Sequence, residues 1–419
     1  MKVFKFGGAS VNSADAVRNM AQIVQHHLEA EPLVVVVSAM GKTTNLLEKL
    51  VPGSKDFDTQ NKALRRQLED YHMAIVGELL PGDERCAAAV SQLLQQLDTT
   101  IASLSPTADD YNYNYDQVVS FGELISTTII AHYINAQGIA TRWVDARKMI
   151  RTDSHYREGR VDWKKTEELC TTTGGEWRAI VTQGFIGGTA EGTTTTLGRE
   201  GSDYSAAILA YCLGAESVTI WKDVPGFLNA DPKYFSDTVK ISQIPYNEAI
   251  ELAYYGASVI HPKTVKPLQN KGIPLYIRSF IEPMSEGSTI GNYSTIRPET
   301  PLYIFRNDQL LLSIFPRDYS FIAEDNLQVI FGLLNELGIR VNLMQNTALS
   351  FSIVVDNNPQ RAGLLIERLQ RMFRVRYNEG LQLVTIRYYT QAVIDSIVGT
   401  RPVLLEQRSR STAQIVIKR

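Results

Sequence analysis

Cysteine, histidine and long apolar runs are all scarce in this sequence of 419 residues. The three cysteines, Cys86, Cys170 and Cys212, are odd in number and widely spaced, which argues against a disulfide framework and against a zinc site. The six histidines show no metal-site spacing. Apolar runs such as residues 33–37 are too short to span a bilayer, and residues 1–8 lack the layout of a secretory signal. We therefore expect a cytoplasmic protein that does not contact a membrane.

An excess of charge of one sign is also absent. With 42 Lys and Arg residues against 45 Asp and Glu residues, the formal net charge is −3, which gives no reason to expect a nucleic acid or an anionic membrane as partner. The composition, 44% hydrophobic and 21% charged, is typical of globular proteins, and the length allows two or three domains.

Strand-like and helix-like segments alternate over residues 1–290. The strand candidates are residues 2–6, 33–38, 142–145, 179–182, 217–221 and 274–277. Several are continuous Val/Ile runs, which are typical of parallel strands buried on both faces. Helix candidates lie between them, and residues 61–80 and 87–104 predict a helical insertion. This alternation predicts an α/β fold, an αβα sandwich.

Glycine and proline cluster at residues 290–302, and the pattern changes after them. Strand and helix candidates then follow in the order βαββαβ, which defines a ferredoxin-like unit; they are residues 310–315, 325–337, 340–344, 349–355, 359–373 and 381–388. A second copy from residue 381 is too short to be a full unit. We expect an α/β domain over residues 1–295 with its helical insertion at about 55–110, a first ferredoxin-like unit over 303–380 and a second, shortened one over 381–419.

The most informative segment is residues 193–204, which join a strand-like run to a helix-like run. It brings small hydroxyls, glycines, Arg199, Ser202 and Asp203 to the start of a helix. A helix N-terminus favours anions, and an arginine there can bind a carboxylate or phosphate through two parallel hydrogen bonds. A glycine-rich surface turn would explain the same residues, so this segment alone does not establish a site.

Two other strand ends carry residues suited to a bound substrate. Lys5 ends the first strand, and Gly7 and Gly8 after it allow the backbone to approach a phosphate whose charge the lysine offsets. Ser38 and Thr44 follow the most hydrophobic strand, and ligands of open α/β sheets gather at such strand ends.

An acidic residue and a long loop complete the set of candidates. Glu123 begins an apolar helix, where a carboxylate either stabilises the helix dipole or binds a substrate ammonium group. Residues 222–233 are rich in turn signals, which fits a loop that wraps a nucleotide or one that merely connects two elements.

In this order, the segments resemble those of the aspartate kinases of the amino-acid kinase family, and the match covers nearly the whole chain. The residues that carry the resemblance are 5–8, 37–40, 44–45, 122–124, 182–187, 195–199, 201–204, 223–226 and 261–262. Each motif is weak alone, but the ordered set is specific. The resemblance implies transfer of the γ-phosphoryl group of ATP, with Mg²⁺, to the side-chain carboxylate of L-aspartate, the first step towards lysine, threonine and methionine.

The resemblance also implies a role for each matching residue. Lys5 and Asp203 would be catalytic, with Lys5 on the transferring phosphate and Asp203 organising the lysine and the metal-bound phosphates. The implied aspartate contacts are Ser38, Thr44, Glu123, Arg199 and Ser202, and the implied nucleotide contacts are Lys5, Gly7, Gly8, Lys222, Asp223, Leu228, Lys233 and Ser258. No residue is expected to bind a metal directly. No general base is required, because the acceptor carboxylate is already a nucleophile.

The ferredoxin-like units resemble the paired regulatory ACT modules of the family. This implies a homodimer through the ACT units and an amino-acid effector, with Asn342, Gln345 and Asn346 as candidate contacts. Asn342 stands where lysine-inhibited members carry an acidic residue, and a neutral amide binds an ammonium less well than a carboxylate does.

Three departures from the family pattern leave alternatives open. Ser258 replaces a common lysine, Glu200 replaces a common glycine beside Arg199, and Leu228 replaces a frequent tyrosine. One alternative is a related kinase of the same fold that acts on glutamate or another small acid. The other is a non-catalytic amino-acid sensor that binds its ligand through the ACT units.

Overall fold

The computed structural model describes residues 1–28, 31–54, 57–107, 109–172, 178–257, 260–318 and 320–418. They divide into two compact units. The first unit comprises Met1–Phe227, Lys240–Ile250 and Ser258–Pro298, and the second comprises Leu228–Val239, Glu251–Ala257 and Glu299–Arg419. Over the described ranges, no helix combines the length and the apolar character needed to cross a bilayer.

The strands up to residue 291 are short and most of their residues are buried. They are β1 (Lys2–Phe6), β2 (Leu33–Val37), β3 (Thr141–Val144), β4 (Ala179–Gln183), β5 (Ile186–Gly188), β6 (Thr194–Thr196), β7 (Ser217–Lys222), β8 (Phe227–Leu228), β9 (Lys240–Ile241), β10 (Gln243–Pro245), β11 (Leu275–Ser279) and β12 (Ser288–Gly291). The helices of the same region are α1 (Ala14–Leu28), α2 (Thr43–Glu48), α3 (Phe57–Leu79), α4 (Glu84–Ser103), α5 (Tyr111–Val119), α6 (Phe121–Ala136), α7 (Trp163–Thr172), α8 (Gly201–Leu213), α9 (Tyr246–Tyr255) and α10 (Pro262–Lys271).

The first unit is built on one sheet with the strand order β10-β12-β11-β7-β1-β2-β4-β3. Its neighbours run parallel except for β11 and β12, which are antiparallel. Helices cover both faces, so strands such as β2 are buried along their whole length, as their continuous valine run predicted. The αβα sandwich expected from the sequence is confirmed.

Side-chain alternation along β1 separates core from site. Phe4 and Phe6 lie in the apolar core that includes Val17 of α1 and Ile125 of α6, while α8 packs against β1 as well. Lys5 stands between these phenylalanines and therefore points to the opposite face, where it meets Asp203 of α8. The strand thus buries two aromatic rings and presents a single cation.

The second unit holds a six-stranded antiparallel sheet with the order β14-β15-β13-β16-β18-β17. Its elements are β13 (Leu302–Phe315), α11 (Glu324–Glu336), β14 (Val341–Asn346), β15 (Phe351–Asp356), α12 (Pro359–Met372), β16 (Arg374–Arg387), α13 (Gln391–Val398), β17 (Val403–Arg408) and β18 (Thr412–Lys418). The second part of β13, α11, β14, β15, α12 and the start of β16 form a βαββαβ unit. The order is the predicted one, but the last strand is the start of β16 and not the predicted residues 381–388.

Two strands of this sheet are longer than the sequence indicated. The strand candidate at 381–388 is the second part of β16, which already begins at Arg374, and β13 likewise begins at Leu302 rather than at residue 310. Left-handed backbone at Asp308 and Gly380, with a register shift between Arg306 and Gln309, lets both strands bend and continue. The first part of β13 pairs with the second part of β16, which in turn pairs with β18.

Two segments that precede residue 299 belong to the second unit. The ring of Tyr234 stacks on that of Phe305 in β13 with centroids 4.7 Å apart. Arg306 of the same strand donates its Nε–H to the carbonyl oxygen of Tyr255 at 2.7 Å. Residues 228–239 and 251–257 are thus bound to β13 through ring stacking and a charged donor.

Candidate functional site

The first unit contains a cavity of about 860 Å³ at the carboxyl ends of its central strands. Predicted site residues account for much of its lining, namely Lys5, Gly8, Ser38, Thr44, Glu123, Arg199, Ser202, Asp203 and Lys222. These residues come from separate parts of the chain, and a parallel sheet brings its strand ends to one edge. The structure therefore places most of the predicted catalytic and substrate residues together.

Asp203 is held between two lysines. The Nζ atom of Lys5 lies 2.5 Å from Oδ1 of Asp203, and that of Lys222 lies 3.5 Å from Oδ2. Burial by itself raises the pKa of the Asp203 carboxyl, but the charges of Lys5 and then Lys222 outweigh it and hold the pKa below its ordinary value. Two cations around one anion leave net positive charge at the strand ends, which suits a phosphate.

Close packing fixes the start of α8. A Cβ on Gly184 would lie 2.5 Å from the Cβ of Ser202, and a Cβ on Gly201 would lie 2.6 Å from the ring of Phe185. Glycine is therefore required at both positions. The packing holds Ser202 at the cavity, while the amides of Gly201 and Asp203 in the same turn donate to the carbonyl oxygens of Gly198 and Glu200.

Glu200 stands immediately before this helix in left-handed backbone, with φ of 53°. Burial raises the pKa of its half-buried carboxyl, and the nearby charge of Lys222 opposes that rise. Glutamate in place of the common glycine therefore has two consequences. The backbone at this position is strained, and an acidic side chain lies at the wall of an anion-binding cavity.

Glu123 is the buried acid of the cavity. The residue is 2% exposed, and Oε1 accepts a hydrogen bond from the amide of Ala39 at 3.2 Å. Among the described residues, Oε2 has no hydrogen-bond partner. Burial raises the pKa of this carboxyl to about 8. An unpartnered buried carboxyl at a cavity fits an ammonium group of a ligand better than it fits a purely structural role.

Ser38 and Thr44 reach the cavity because the loops after β1 and β2 are packed together. A Cβ on Gly8 would lie 2.7 Å from the carbonyl oxygen of Ala39, and Gly41 donates its amide to the Gly8 carbonyl at 3.0 Å. The second loop then enters α2, whose first turn carries Thr44 to the lining.

Not every predicted nucleotide residue lies at this cavity. Gly7 packs against the ammonium of Lys5, since a Cβ at Gly7 would lie 3.4 Å from Nζ, and Asp223 is exposed outside the lining. Leu228 and Lys233 belong to the second unit. Ser258 lies outside the described residues.

The lining also contains residues that sequence reasoning missed. They are Asn112, Tyr115, His155, Tyr156, Arg157 and Glu158, with Phe185 and the backbone around them. Asp116 stands behind them and is fully buried; its carboxylate accepts the amides of Arg157 and Thr196, each at 2.8 Å. Burial raises the pKa of Asp116 to about 6 in spite of these hydrogen bonds. In the sequence, Asp116 is marked only by the tyrosines and asparagines around it, and such a pattern is also common in solvent-exposed helices.

The predicted effector residues lie on β14, an edge strand of the second unit. The amide nitrogen of Asn342 donates to Gln309 and to Asp356, both at 2.8 Å, while its oxygen is buried without a partner among the described residues. Gln345 and Asn346 are exposed.

These features describe a site for anionic substrates that also offers a carboxyl to an ammonium group. Over the described residues, no group of three or more His, Cys, Asp or Glu side chains could hold a metal ion. The arrangement suits charge compensation and alignment, which are the main requirements of phosphoryl transfer.

Comparisons with known proteins point the same way. A family model described as the amino acid kinase family matches residues 1–279. The lysine-sensitive aspartokinase 3 of Escherichia coli (strain K12) is 32% identical over 403 residues, which are 92% of this chain and 86% of that one. Aspartokinase 1, chloroplastic, of Arabidopsis thaliana is 29% identical over 410 residues, 92% of this chain and 70% of that one.

Solved structures extend the likeness to the whole chain. E. coli aspartokinase III in complex with lysine and aspartate (T-state) superposes with a TM-score of 0.82 at 28% identity and covers 100% of this chain and 96% of that one. The same enzyme in complex with aspartate and ADP (R-state) gives a TM-score of 0.81 with the same coverage.

Proposed function

The chain belongs to the amino acid kinase family, among its aspartokinases, and we propose how its residues carry out the reaction of that group. The protein is an aspartate kinase that phosphorylates the side-chain carboxylate of L-aspartate with ATP. The observation that carries the assignment of roles is the cavity that holds the Lys5–Asp203–Lys222 cluster together with Arg199 and the unpartnered carboxyl of Glu123.

Lys5, Asp203 and Lys222 form the phosphate side of the proposed site. Lys5 offsets charge on the transferring phosphoryl group, and Asp203 fixes the position of its ammonium. Lys222 adds further positive charge, and the amide of Ser202 in the first turn of α8 adds a donor. The acceptor carboxylate attacks phosphorus directly, so the chain needs no base to remove a proton.

The aspartate side of the proposed site consists of Ser38, Thr44, Glu123, Arg199 and Ser202. Glu123 binds the substrate ammonium, which supplies the missing partner of its Oε2 atom. Arg199 binds a substrate carboxylate through its guanidinium, and the three hydroxyl groups donate to the remaining carboxylate oxygens. In a longer acid such as glutamate, the distance between the two carboxylates would not match the spacing of these groups, and the site would therefore reject it.

Mg²⁺ belongs to the proposal as a companion of the nucleotide. Asp203 supplies a carboxylate on the phosphate side, and the ion would be held largely by phosphate oxygens and water. Bound there, the ion would neutralise charge on the phosphates. The remaining proposed nucleotide contacts are Gly7, Gly8, Asp223, Leu228, Lys233 and Ser258, assigned by their positions in the motifs.

Trapping the product tests this proposal directly. With ATP, Mg²⁺ and hydroxylamine, the purified protein should form the hydroxamate of aspartate and release ADP only when L-aspartate is present. L-Glutamate at the same concentration should give a much weaker signal. Hydroxamate from glutamate alone would indicate the related acid kinase, and nucleotide-independent binding of amino acids with no ADP release would indicate a sensor.

Regulation and assembly are proposed for the second unit, with residues 1–295 as the catalytic domain and 303–380 and 381–419 as ACT units. The buried, unpartnered oxygen of Asn342 could accept a hydrogen bond from an effector ammonium, beside Gln345 and Asn346 on the same strand. The exposed Phe331 and Met344 support a homodimer through this unit. Titration of activity with lysine, threonine and both, together with light scattering, tests the two ideas; cell fractionation tests a cytoplasmic location.

A further inference from the structure

Arg157 is held in an unusual backbone conformation at the cavity wall. Its φ is 69°, in the left-handed region that arginine rarely adopts. Its amide donates to Oδ2 of the buried Asp116 at 2.8 Å, and the same carboxylate accepts the amide and the hydroxyl of Thr196 at 2.8 and 2.7 Å. Strain of this kind persists only where surrounding contacts enforce it, and here a buried carboxylate does so.

The same contacts tie Arg157 to the turn that carries Arg199. Gly159 donates its amide to the carbonyl oxygen of Thr196 at 2.8 Å, shortly before Arg199 in the chain. At Gly198, a Cβ would lie 3.3 Å from the carbonyl oxygen of Arg157, so the two segments are in close contact. The two arginines are therefore carried by segments that hold each other in place.

The guanidinium of Arg157 is positioned by stacking rather than by an acid. It lies 4.4 Å from the centroid of the Tyr115 ring and 5.8 Å from that of Tyr111. Among the described residues, no carboxylate oxygen lies within 4.0 Å of it. Arg157 and Tyr115 both line the cavity. An oriented, half-buried cation with no acidic partner is available for an anion of the ligand.

The strand order indicates which anion this is. The phosphate-side lysines stand on β1 and β7, whereas the segment of Arg157 follows β3, which lies beyond β2 and β4 in the sheet. The reacting carboxylate of aspartate must approach the phosphate side. The other carboxylate, on the α-carbon, must then lie farther along the sheet.

We propose that Arg157 is a second arginine of the substrate pocket, which together with Arg199 binds the α-carboxylate of aspartate and so selects a dianionic amino acid. This rests on the proposed function. Arg199 supplies one guanidinium from the start of α8, and Arg157 supplies the other from the opposite side of the turn. A substrate whose α-carboxylate is replaced by a neutral amide gains little from either arginine.

The test compares Arg157→Gly with Arg160→Gln, using L-aspartate and, as a competitor against it, its α-amide. Glycine adopts positive φ without strain, so Arg157→Gly removes the side chain and should leave Tm equal or slightly higher. Its kcat/KM for aspartate should fall by roughly 10- to 100-fold through KM, as for loss of a charge-assisted hydrogen bond. The KM for ATP and the inhibition constant of the α-amide should each stay close to the wild-type values.

Arg160 is exposed on the same segment and does not line the cavity, so Arg160→Gln should behave as the wild type with both ligands. Arg157→Lys, which keeps the charge but loses the planar fork, should be intermediate. If Arg157→Gly weakens the binding of aspartate and of its α-amide by the same factor, the role of Arg157 is merely structural. If the kinetics are unchanged, Arg157 does not bind the substrate. If the wild type and Arg160→Gln do not phosphorylate aspartate at all, the proposed function itself fails, and this inference with it.

Discussion

The ammonium of Lys5 and the carboxylate of Asp203 lie 2.5 Å apart, and their side chains are only 10% and 3% exposed. The pair joins the first strand of the protein to the first turn of a helix far along the chain. Such a pair is costly to desolvate and is strongly destabilised when one partner is removed alone. Its place at the cavity therefore links catalysis to the stability of the first unit.

Removing the cation of this pair should abolish most of the activity. Lys5→Ala is expected to lower kcat by roughly 10²–10³, the range seen when one preorganised transition-state donor is removed. Steady-state kinetics with saturating ATP and aspartate measure the effect. Lys2→Ala, on the same strand but paired with Glu31 at the surface, is the matched control and should keep near wild-type kcat. Near wild-type kcat in Lys5→Ala would exclude the catalytic role.

Glu123 should make the stability of the protein depend on pH. Its carboxyl has a pKa of about 8 in the folded protein against 4.5 ordinarily, so between these values the folded state binds a proton that the unfolded state has released. The contribution to the free energy of unfolding is thus present below pH 4.5 and is lost as pH rises towards 8. Per pH unit this amounts to at most about 1.4 kcal/mol.

Urea unfolding at several pH values from mildly acidic to mildly alkaline checks the sign. The wild type should lose stability relative to Glu123→Gln as pH increases, because the amide cannot ionise. Parallel pH profiles for the two proteins would mean that Glu123 is charged throughout.

Aspartate binding should also release a proton from Glu123. An ammonium group beside the Oε2 atom stabilises the carboxylate and lowers its pKa from about 8. Calorimetric titration at neutral pH in buffers of different ionisation enthalpy should show release of up to one proton per aspartate, and Glu123→Gln should show none of this component. Proton uptake in the wild type would contradict the assignment.

Glu200 should weaken the site that it borders. Its backbone φ of 53° suits glycine, and its carboxyl lies near the charges of Lys222, Asp203 and Arg199. Glu200→Gly is expected to lower the KM for aspartate by roughly two- to fivefold, the effect of one partly screened charge. It should also stabilise the fold by up to about 1 kcal/mol through relief of backbone strain. Glu200→Gln separates the two effects: it should reproduce the kinetic change without the gain in stability.

Gly184 should tolerate no side chain. Its Cβ would lie 2.5 Å from the Cβ of Ser202, so Gly184→Ala must displace the start of α8. We expect destabilisation of about 1–3 kcal/mol and roughly a tenfold or greater loss of kcat/KM for aspartate. Gly77→Ala in α3, where nothing lies within 4 Å of the added methyl, should instead stabilise the protein by up to about 1 kcal/mol. Wild-type kinetics in Gly184→Ala would show that the position of Ser202 does not matter.

The sequence was sufficient for the central strands of the first unit and for the residues that lie at their ends. Continuous apolar runs such as β2 predicted buried parallel strands, and topology then places Lys5, Ser38 and Arg199 at one edge of the sheet. The helix that begins near Glu123 was predicted from the spacing of its apolar residues. That the Oε2 atom of Glu123 has no hydrogen-bond partner among the described residues could not be predicted. Whether a buried polar atom has a hydrogen-bond partner depends on its neighbours in space, which a single sequence does not reveal.

Arg157 and Asp116 escaped prediction for the same reason. Their hydrogen bond joins residues 41 positions apart, and that of Asp116 to Thr196 spans 80 positions. Neither residue stands in a glycine-rich turn or at a strand end, so no local pattern marks them. The extended length of β16 was missed because Gly380 and its neighbours are typical of a turn, whereas here they form an irregularity within a continuing strand.

Two long strands, β13 and β16, connect the two halves of the second unit, which are residues 303–380 and 381–419. Because β13 and β16 each run for 14 residues through both halves, the halves share backbone and have no linker between them. An exchange of one half for a foreign module would have to cut two paired strands in mid-course. The halves are therefore expected to be gained or lost together in the descent of this protein.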